Sequence, residues 1–254
     1  MRHVSGQARN RTRSKNFMFN PVKIIMTMKK STVKKIIFGI IGTIILFVLI
    51  VVVNLVLLVK NELVVSKGQP IQNYGNKNCA LIVVDIQEVI TGNLSIYPSL
   101  QEKSEILIQK INQAIDSFEV HNYPVVYIRS EINNPFINLI NSSYAKGSPG
   151  VQYDKRLKIV SNIEVVKTGK DSFRKTNLDD ILKKNKVNEL YIVGLDAAEC
   201  VNATVEASLN RKYKVNIIKE AVISKSRSKT DSMMVCFHDK GVKIINLDSL
   251  NLMK

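Results

Sequence analysis

The stretch "YIVGLDAAECVNATVEASLN", Tyr191 to Asn210, passes from an apolar run through a glycine and a short turn into residues at helical spacing. It reads as strand, turn and helix, with Cys200 in the first turn of the helix. The same rhythm recurs on both sides. "CALIVV" (79–84), "PVVYIR" (124–129), "IEVVK" (163–167), "ELYIVGL" (189–195), "KVNIIKEAV" (214–222) and "GVKIINL" (241–247) read as strands, because short Val/Ile-rich runs without polar alternation suit strands covered on both faces. Between them, "SLQEKSEILIQKINQAIDSFEVHN" (99–122) sets Ile106, Ile108, Ile111, Ile115 and Phe118 near helical spacing. "TNLDDILKKNKV" (176–187) opens on Thr176 as an N-cap, with Asp179 and Asp180 in the first turn. The segment between 130 and 162 reads as irregular. Alternating strands and amphipathic helices predict a doubly wound α/β domain with a mostly parallel sheet of about six strands and helices on both faces.

In such sheets ligands bind beyond the carboxyl ends of the strands, where loops diverge and helix N-termini face the crevice. Applied here, that rule selects Asp85 after "ALIVV", Lys167 after "IEVV", and Cys200 in the turn after "YIVGL". A thiol becomes a nucleophile on ionisation, which a helix N-terminus and a nearby ammonium both favour. Asp85 would accept its proton and later return one to a leaving amine. Backbone N–H groups of the 196–200 turn would bind a carbonyl oxygen as it gains charge. Each residue also has an ordinary alternative: a buried small hydrophobe for Cys200, a turn residue for Asp85, a solvated strand end for Lys167.

From Ile36 to Val59 the chain carries no charge and one strongly polar residue, Asn54; as a helix it would rise about 36 Å, enough to cross a bilayer. Ten Arg and Lys residues and no Asp or Glu precede it, which predicts a cytoplasmic N-terminus and an extracytoplasmic domain. A cleaved signal peptide is the rival, but the apolar run exceeds the usual length and "KNELVVSKGQP" offers no A-x-A site. The expected organisation is a basic tail (1–35), a single-pass anchor (36–59), a linker (60–78) and an α/β domain (79–254). Met26 and Met28 are alternative starts. The net charge of +16 lies mostly in the tail: beyond Lys60, 26 basic residues face 21 acidic ones. That balance points to membrane lipid rather than nucleic acid as the tail's partner.

Four segments carry a resemblance. "ALIVVDIQ" (80–87), "GSPGVQYDKRL" (147–157), "VVKTGKDSFRKTNLDDIL" (165–182) and "VGLDAAECVNATVEASLNRKYKV" (193–215) resemble, in order and spacing, the isochorismatase-like cysteine hydrolases, which include nicotinamidases and N-carbamoylsarcosine amidohydrolases. The similarity runs from about Cys79 to Leu247. It implies a catalytic triad of Asp85, Lys167 and Cys200, hydrolysis of a C–N bond in a small amide or ureide through a thioester, and a cis peptide joining Leu195 to Asp196. That bond would aim the amides of Asp196 and Cys200 at the oxyanion. Gln87, Ile90 and Phe173 are the expected substrate-pocket residues, with Ile90 where relatives carry an aromatic ring. The resemblance also implies homo-oligomers.

Nicotinamidases hold a metal through histidines after the second strand. Here "YIRSEINNPFINLINSSYAKG" contains none, and His3, His121 and His238 are not spaced as ligands, so neither metal nor cofactor is expected. Asp196 brings a negative charge near the expected oxyanion site; pointing inward, it would select a cationic substrate or blunt activity. The alternative to an enzyme is an inactive binding or scaffold domain tethered to the membrane.

Overall fold

The computed structural model describes residues 29–62, 64–75 and 78–252. The tail up to residue 28, with both internal start positions, lies outside the described residues. The chain divides into two units, Met1–Val56 and Leu57–Lys254.

Helix α1 (Lys30–Glu62) extends beyond the expected apolar run at both ends. It is long and apolar enough to cross a membrane or to serve as a signal sequence. Asn54 donates one amide proton to the carbonyl of Ile50 at 2.8 Å, which lowers its polar cost in an apolar surrounding.

The second unit is built on six parallel strands: β1 (Cys79–Val84), β2 (Val125–Ser130), β3 (Glu164–Lys167), β4 (Glu189–Gly194), β5 (Lys214–Val222) and β6 (Lys243–Ile245). Their order across the sheet is β3-β2-β1-β4-β5-β6, so the winding reverses between β1 and β4. Alternate residues of each strand enter opposite layers. Ala80, Ile82 and Val84 pack with helices α4 (Leu178–Lys184), α5 (Cys200–Asn210) and α6 (Arg227–Asp239), while Leu81 and Val83 pack with α2 (Pro98–Val120). On α2 the buried face takes Leu107 with Ile108, Ile111, Ile115 and Phe118, whereas Ile106 is exposed.

At the reversal β1 and β4 approach closely. Gly194 sits at φ 117°, and a Cβ there would lie 2.1 Å from the carbonyl oxygen of Val84. Only glycine tolerates both the conformation and the contact.

Three local expectations are corrected. The irregular segment contains helix α3 (Pro135–Ile140), too short to show a period. The N-cap position of helix α4 falls on Asn177, whose side chain makes no capping bond, rather than on Thr176; the Thr176 hydroxyl still accepts from the amide of Leu178 at 3.3 Å. Much of the segment expected as a linker is docked on the domain. The amide of Ser66 donates to Asp171 Oδ2 at 2.7 Å, the amide of Ile71 donates to the Arg211 carbonyl at 2.8 Å, and Val65 and Ile71 pack on the core. Arg211 fixes this corner by a two-pronged bond to Asp179, at 2.7 and 2.9 Å, while donating to Ser66.

Candidate active site

Four neighbouring strands end on one rim of the sheet. β1 delivers Asp85, β2 ends on Ser130, β3 ends on Lys167, and β4 leads through the 195–200 turn to Cys200 at the start of α5. Asp85 occupies the left-handed region at φ 56°, a conformation that aspartate accepts more readily than most residues. Its amide donates to Ile128 at 3.0 Å, which fixes where its side chain starts.

The ammonium of Lys167 is completely buried and spends its three protons on three acceptors: Asp85 Oδ2 at 2.8 Å, Ser130 Oγ at 2.6 Å and Cys200 Sγ at 3.3 Å. Ser130 in turn donates to Asp85 Oδ1 at 3.0 Å. Both carboxylate oxygens of Asp85 are therefore held by groups that also touch the lysine. Burial, the largest single influence, would drive Lys167 toward neutrality, but the charges of Asp85 and Cys200 and the hydrogen bonds to both together outweigh it and hold the ammonium above the ordinary lysine range. Cys200 responds oppositely. Burial and the nearby Asp85 push the thiol up to about 12, with Lys167 pulling only part of the way back. At neutral pH the sulfur therefore keeps its proton, beside a carboxylate able to take it.

The 195–200 turn leaves two amides unspent. The peptide bond between Leu195 and Asp196 is cis. Ala197 donates to the Ile223 carbonyl at 2.8 Å, Ala198 to Asp196 Oδ1 at 2.8 Å, and Glu199 and Val201 to the Asp196 carbonyl at 3.0 and 3.1 Å. Among the described residues, the N–H groups of Asp196 and Cys200 donate to no protein group. A pair of free donors next to a thiol is what a developing oxyanion requires. The Asp196 carboxylate, 8% exposed, is held through Oδ1 by Ala198 and Ser224, and its Oδ2 has no protein partner.

The three residues expected in a substrate pocket are buried instead. Gln87 is 0% exposed. Its amide nitrogen donates to the carbonyls of Ser130 and Val151 at 3.1 and 2.9 Å, and its oxygen accepts from the amide of Ser130 at 2.8 Å. It is a clasp that sets Ser130, with both of its amide protons spent. Ile90 packs in the α2 layer. Phe173 lies beneath the guanidinium of Arg211, 4.2 Å from ring centre to Cζ. The "GSPGVQYD" segment has the same supporting role: Gly150 and Gln152 accept from the amides of Val89 and Glu88, and Asp154 binds Thr91 and Arg156.

Two residues were missed by sequence reasoning. Ser130 ends β2 on the same rim, so the strand-end rule extended to that strand would have found it. Tyr144 comes from the segment read as irregular. Burial first, then the hydroxyl of Tyr97 and the charges of Asp85 and Cys200, raise its phenol above the tyrosine range, and its hydroxyl donates to that of Tyr97 at 3.4 Å. The loop that follows Lys167 borders a recess of about 240 Å³, lined by Thr168, Gly169, Lys170, Asp171, Arg174 and Lys175, with Ile132, Asn133 and Asn134 after β2 and Val64; no triad residue is in its lining. Lys170 pairs with Glu199, the residue before Cys200. Among the described residues, no three His, Cys, Asp or Glu side chains come together as a metal site.

The family model described as Isochorismatase domain matches residues 79–249. An isochorismatase family protein of Bacillus subtilis (strain 168) is 23% identical over 184 residues, covering 67% of this chain and 93% of its own length. Among solved structures, N-carbamoylsarcosine amidase from Thermoplasma acidophilum is similar with a TM-score of 0.58 and 24% identity, over 67% of this chain and 97% of that one. Pyrazinamidase of Pyrococcus horikoshii, solved with zinc, gives 0.58 and 22%, over 66% and 99%.

Proposed function

The chain belongs to the isochorismatase family and is a hydrolase of that family, and from this premise we propose that it cleaves a C–N bond of a small amide or ureide through a thioester on Cys200. Asp85, Lys167 and Cys200 form the catalytic triad in this reading, and the single observation that carries it is their contact around one buried ammonium beside two free amides.

The reaction begins with substrate carbonyl oxygen between the N–H groups of Asp196 and Cys200. Asp85 takes the thiol proton as sulfur attacks the carbonyl carbon, and the C=O electron pair moves onto oxygen. Lys167 compensates the charge as sulfur ionises, which matters because the thiol at rest is far too weak an acid to attack unaided. When the oxyanion collapses, Asp85 returns the proton to the leaving nitrogen and the C–N bond breaks. Asp85 then deprotonates a water that attacks the thioester; the acid departs and the thiol is restored.

The recess carries Lys170, Arg174 and Lys175 against one carboxylate, Asp171, and this net positive lining favours a substrate with a carboxylate at its far end. For helix α1 the reading is a retained anchor with a cytoplasmic N-terminus and an external domain, supported by the one-sided basic charge before it.

The test is turnover of a panel of small amides and ureides, with and without a carboxylate, by the full chain in detergent. Release of amine or ammonia that stops in Cys200→Ala is the expected result. Turnover persisting in that variant would remove the thiol from the mechanism.

A further inference from the structure

Resting on that reading, we propose that the side chain of Asp196 is a positioning residue that locks the 195–200 turn so that the two oxyanion amides stay pointed at the substrate. Of the six N–H groups from 196 to 201, four are consumed, and Asp196 accepts three of them: Ala198 through its carboxylate, Glu199 and Val201 through its carbonyl. The two left over are the pair that faces the carbonyl oxygen. The carboxylate is itself tied down. Ser224, 1% exposed, donates its hydroxyl to the same Oδ1, and its amide donates to Thr230 Oγ1 at 2.9 Å. The brace therefore runs from the turn to the end of β5 and the first turn of α6.

Peptide planes in a short turn rotate together, so one anchored N–H restrains its neighbours. Without the carboxylate, the half-buried Ala198 amide and the buried Ser224 hydroxyl both lose their acceptor, a state that structures relax to avoid. The relaxation turns the free amides away from the site. Asparagine should serve almost as well, because its single oxygen accepts both bonds made by Oδ1 and its nitrogen replaces Oδ2, which has no partner to lose. Held through Oδ1 in this way, the carboxylate acts as a strut for the turn.

Two thiol reagents separate this role from a general one. p-Nitrophenyl acetate acylates sulfur: thiolate adds to the ester carbonyl, an oxyanion forms and collapses, and p-nitrophenolate leaves. Iodoacetamide alkylates sulfur by displacing iodide at a saturated carbon and forms no oxyanion there. In the full chain in detergent, Asp196→Ala is expected to slow acylation of Cys200 at least about tenfold, short of the hundredfold or more that losing a donor outright costs, with alkylation unchanged. Asp196→Asn should restore acylation to within a factor of about three. Ser224→Ala, which loosens the carboxylate alone, should lower the acylation-to-alkylation ratio in the same direction and stands in should the alanine variant fail to fold. A ratio unmoved in Ser224→Ala and Asp196→Ala, equal slowing by both reagents, or an asparagine variant as slow as alanine would overturn the proposal. Wild-type Cys200 reacting no faster than Cys79 and Cys236 would instead sink the nucleophile itself.

Discussion

Lys167 Nζ lies 2.8 Å from Asp85 Oδ2, and the two side chains are 0% and 3% exposed. A pair so enclosed gains little over an apolar pair of equal size, yet loses heavily when one partner is removed, because the survivor is an uncompensated buried charge. Lys167→Ala is therefore expected to destabilise the domain by about 3–5 kcal/mol, and Ser130→Ala, which removes one hydrogen-bond link, by about 1–3 kcal/mol. Urea denaturation of the full chain in detergent measures both; a smaller loss in Lys167→Ala than in Ser130→Ala would contradict the assignment.

The pH behaviour of Cys200 follows from the signs of its neighbours. Burial and the Asp85 charge raise the thiol to about 12, and Lys167 opposes them. Neutralising the carboxylate in Asp85→Asn removes a raising cause and also the charge that keeps the buried Lys167 protonated, so the two effects offset at the thiol and alkylation by iodoacetamide at pH 8 changes little while amide turnover is lost. Lys167→Met removes the lowering cause, so alkylation becomes slower and its rise with pH moves further alkaline. Rates measured from pH 6 to 10 check both; the reverse order of the two variants would refute the electrostatic account.

Gly194→Ala places a methyl 2.1 Å from the Val84 carbonyl oxygen at φ 117°. Spreading β1 from β4 to admit it should cost about 3 kcal/mol or more and shift Asp85 relative to Cys200. The expected result is a lower melting temperature together with slower acylation of Cys200; a variant with unchanged melting would show that the strands separate freely.

Charge reversal on the recess tests the preference for acidic substrates. Lys175→Glu alters a wall of the recess without touching the triad. For a substrate bearing a carboxylate, KM should rise about tenfold with kcat little changed, and for a neutral amide neither should move. Steady-state kinetics on the two substrates decide it.

The sheet was legible because parallel strands covered on both faces read as unbroken Val/Ile runs; the boundaries of β1 and β5 match the expected ones residue for residue. Asp85, Lys167 and Cys200 were legible for a related reason, since strand carboxyl ends in a doubly wound sheet meet along one rim. The rest depended on partners that sequence does not display. Gln87 looks like a ligand contact until its two ends are seen bonded to the backbone at Ser130 and Val151. Phe173 looks like a pocket wall until Arg211, distant in sequence, covers it. Ser130 is an unremarkable residue that gains its role from Asp85 and Lys167, and helix α3 is a six-residue turn whose Leu139 and Ile140 are exposed.

Strand β3 closes one border of the sheet with only four residues, and Lys167 is the last of them. Borders this short sit near the low end of local opening free energies, where amide protons exchange first. The bond from Lys167 across β2 to Asp85 is therefore a rivet as much as an electrostatic device: a fluctuation that peels β3 away also withdraws the cation that the sulfur needs. Activity and the integrity of that border rise and fall together.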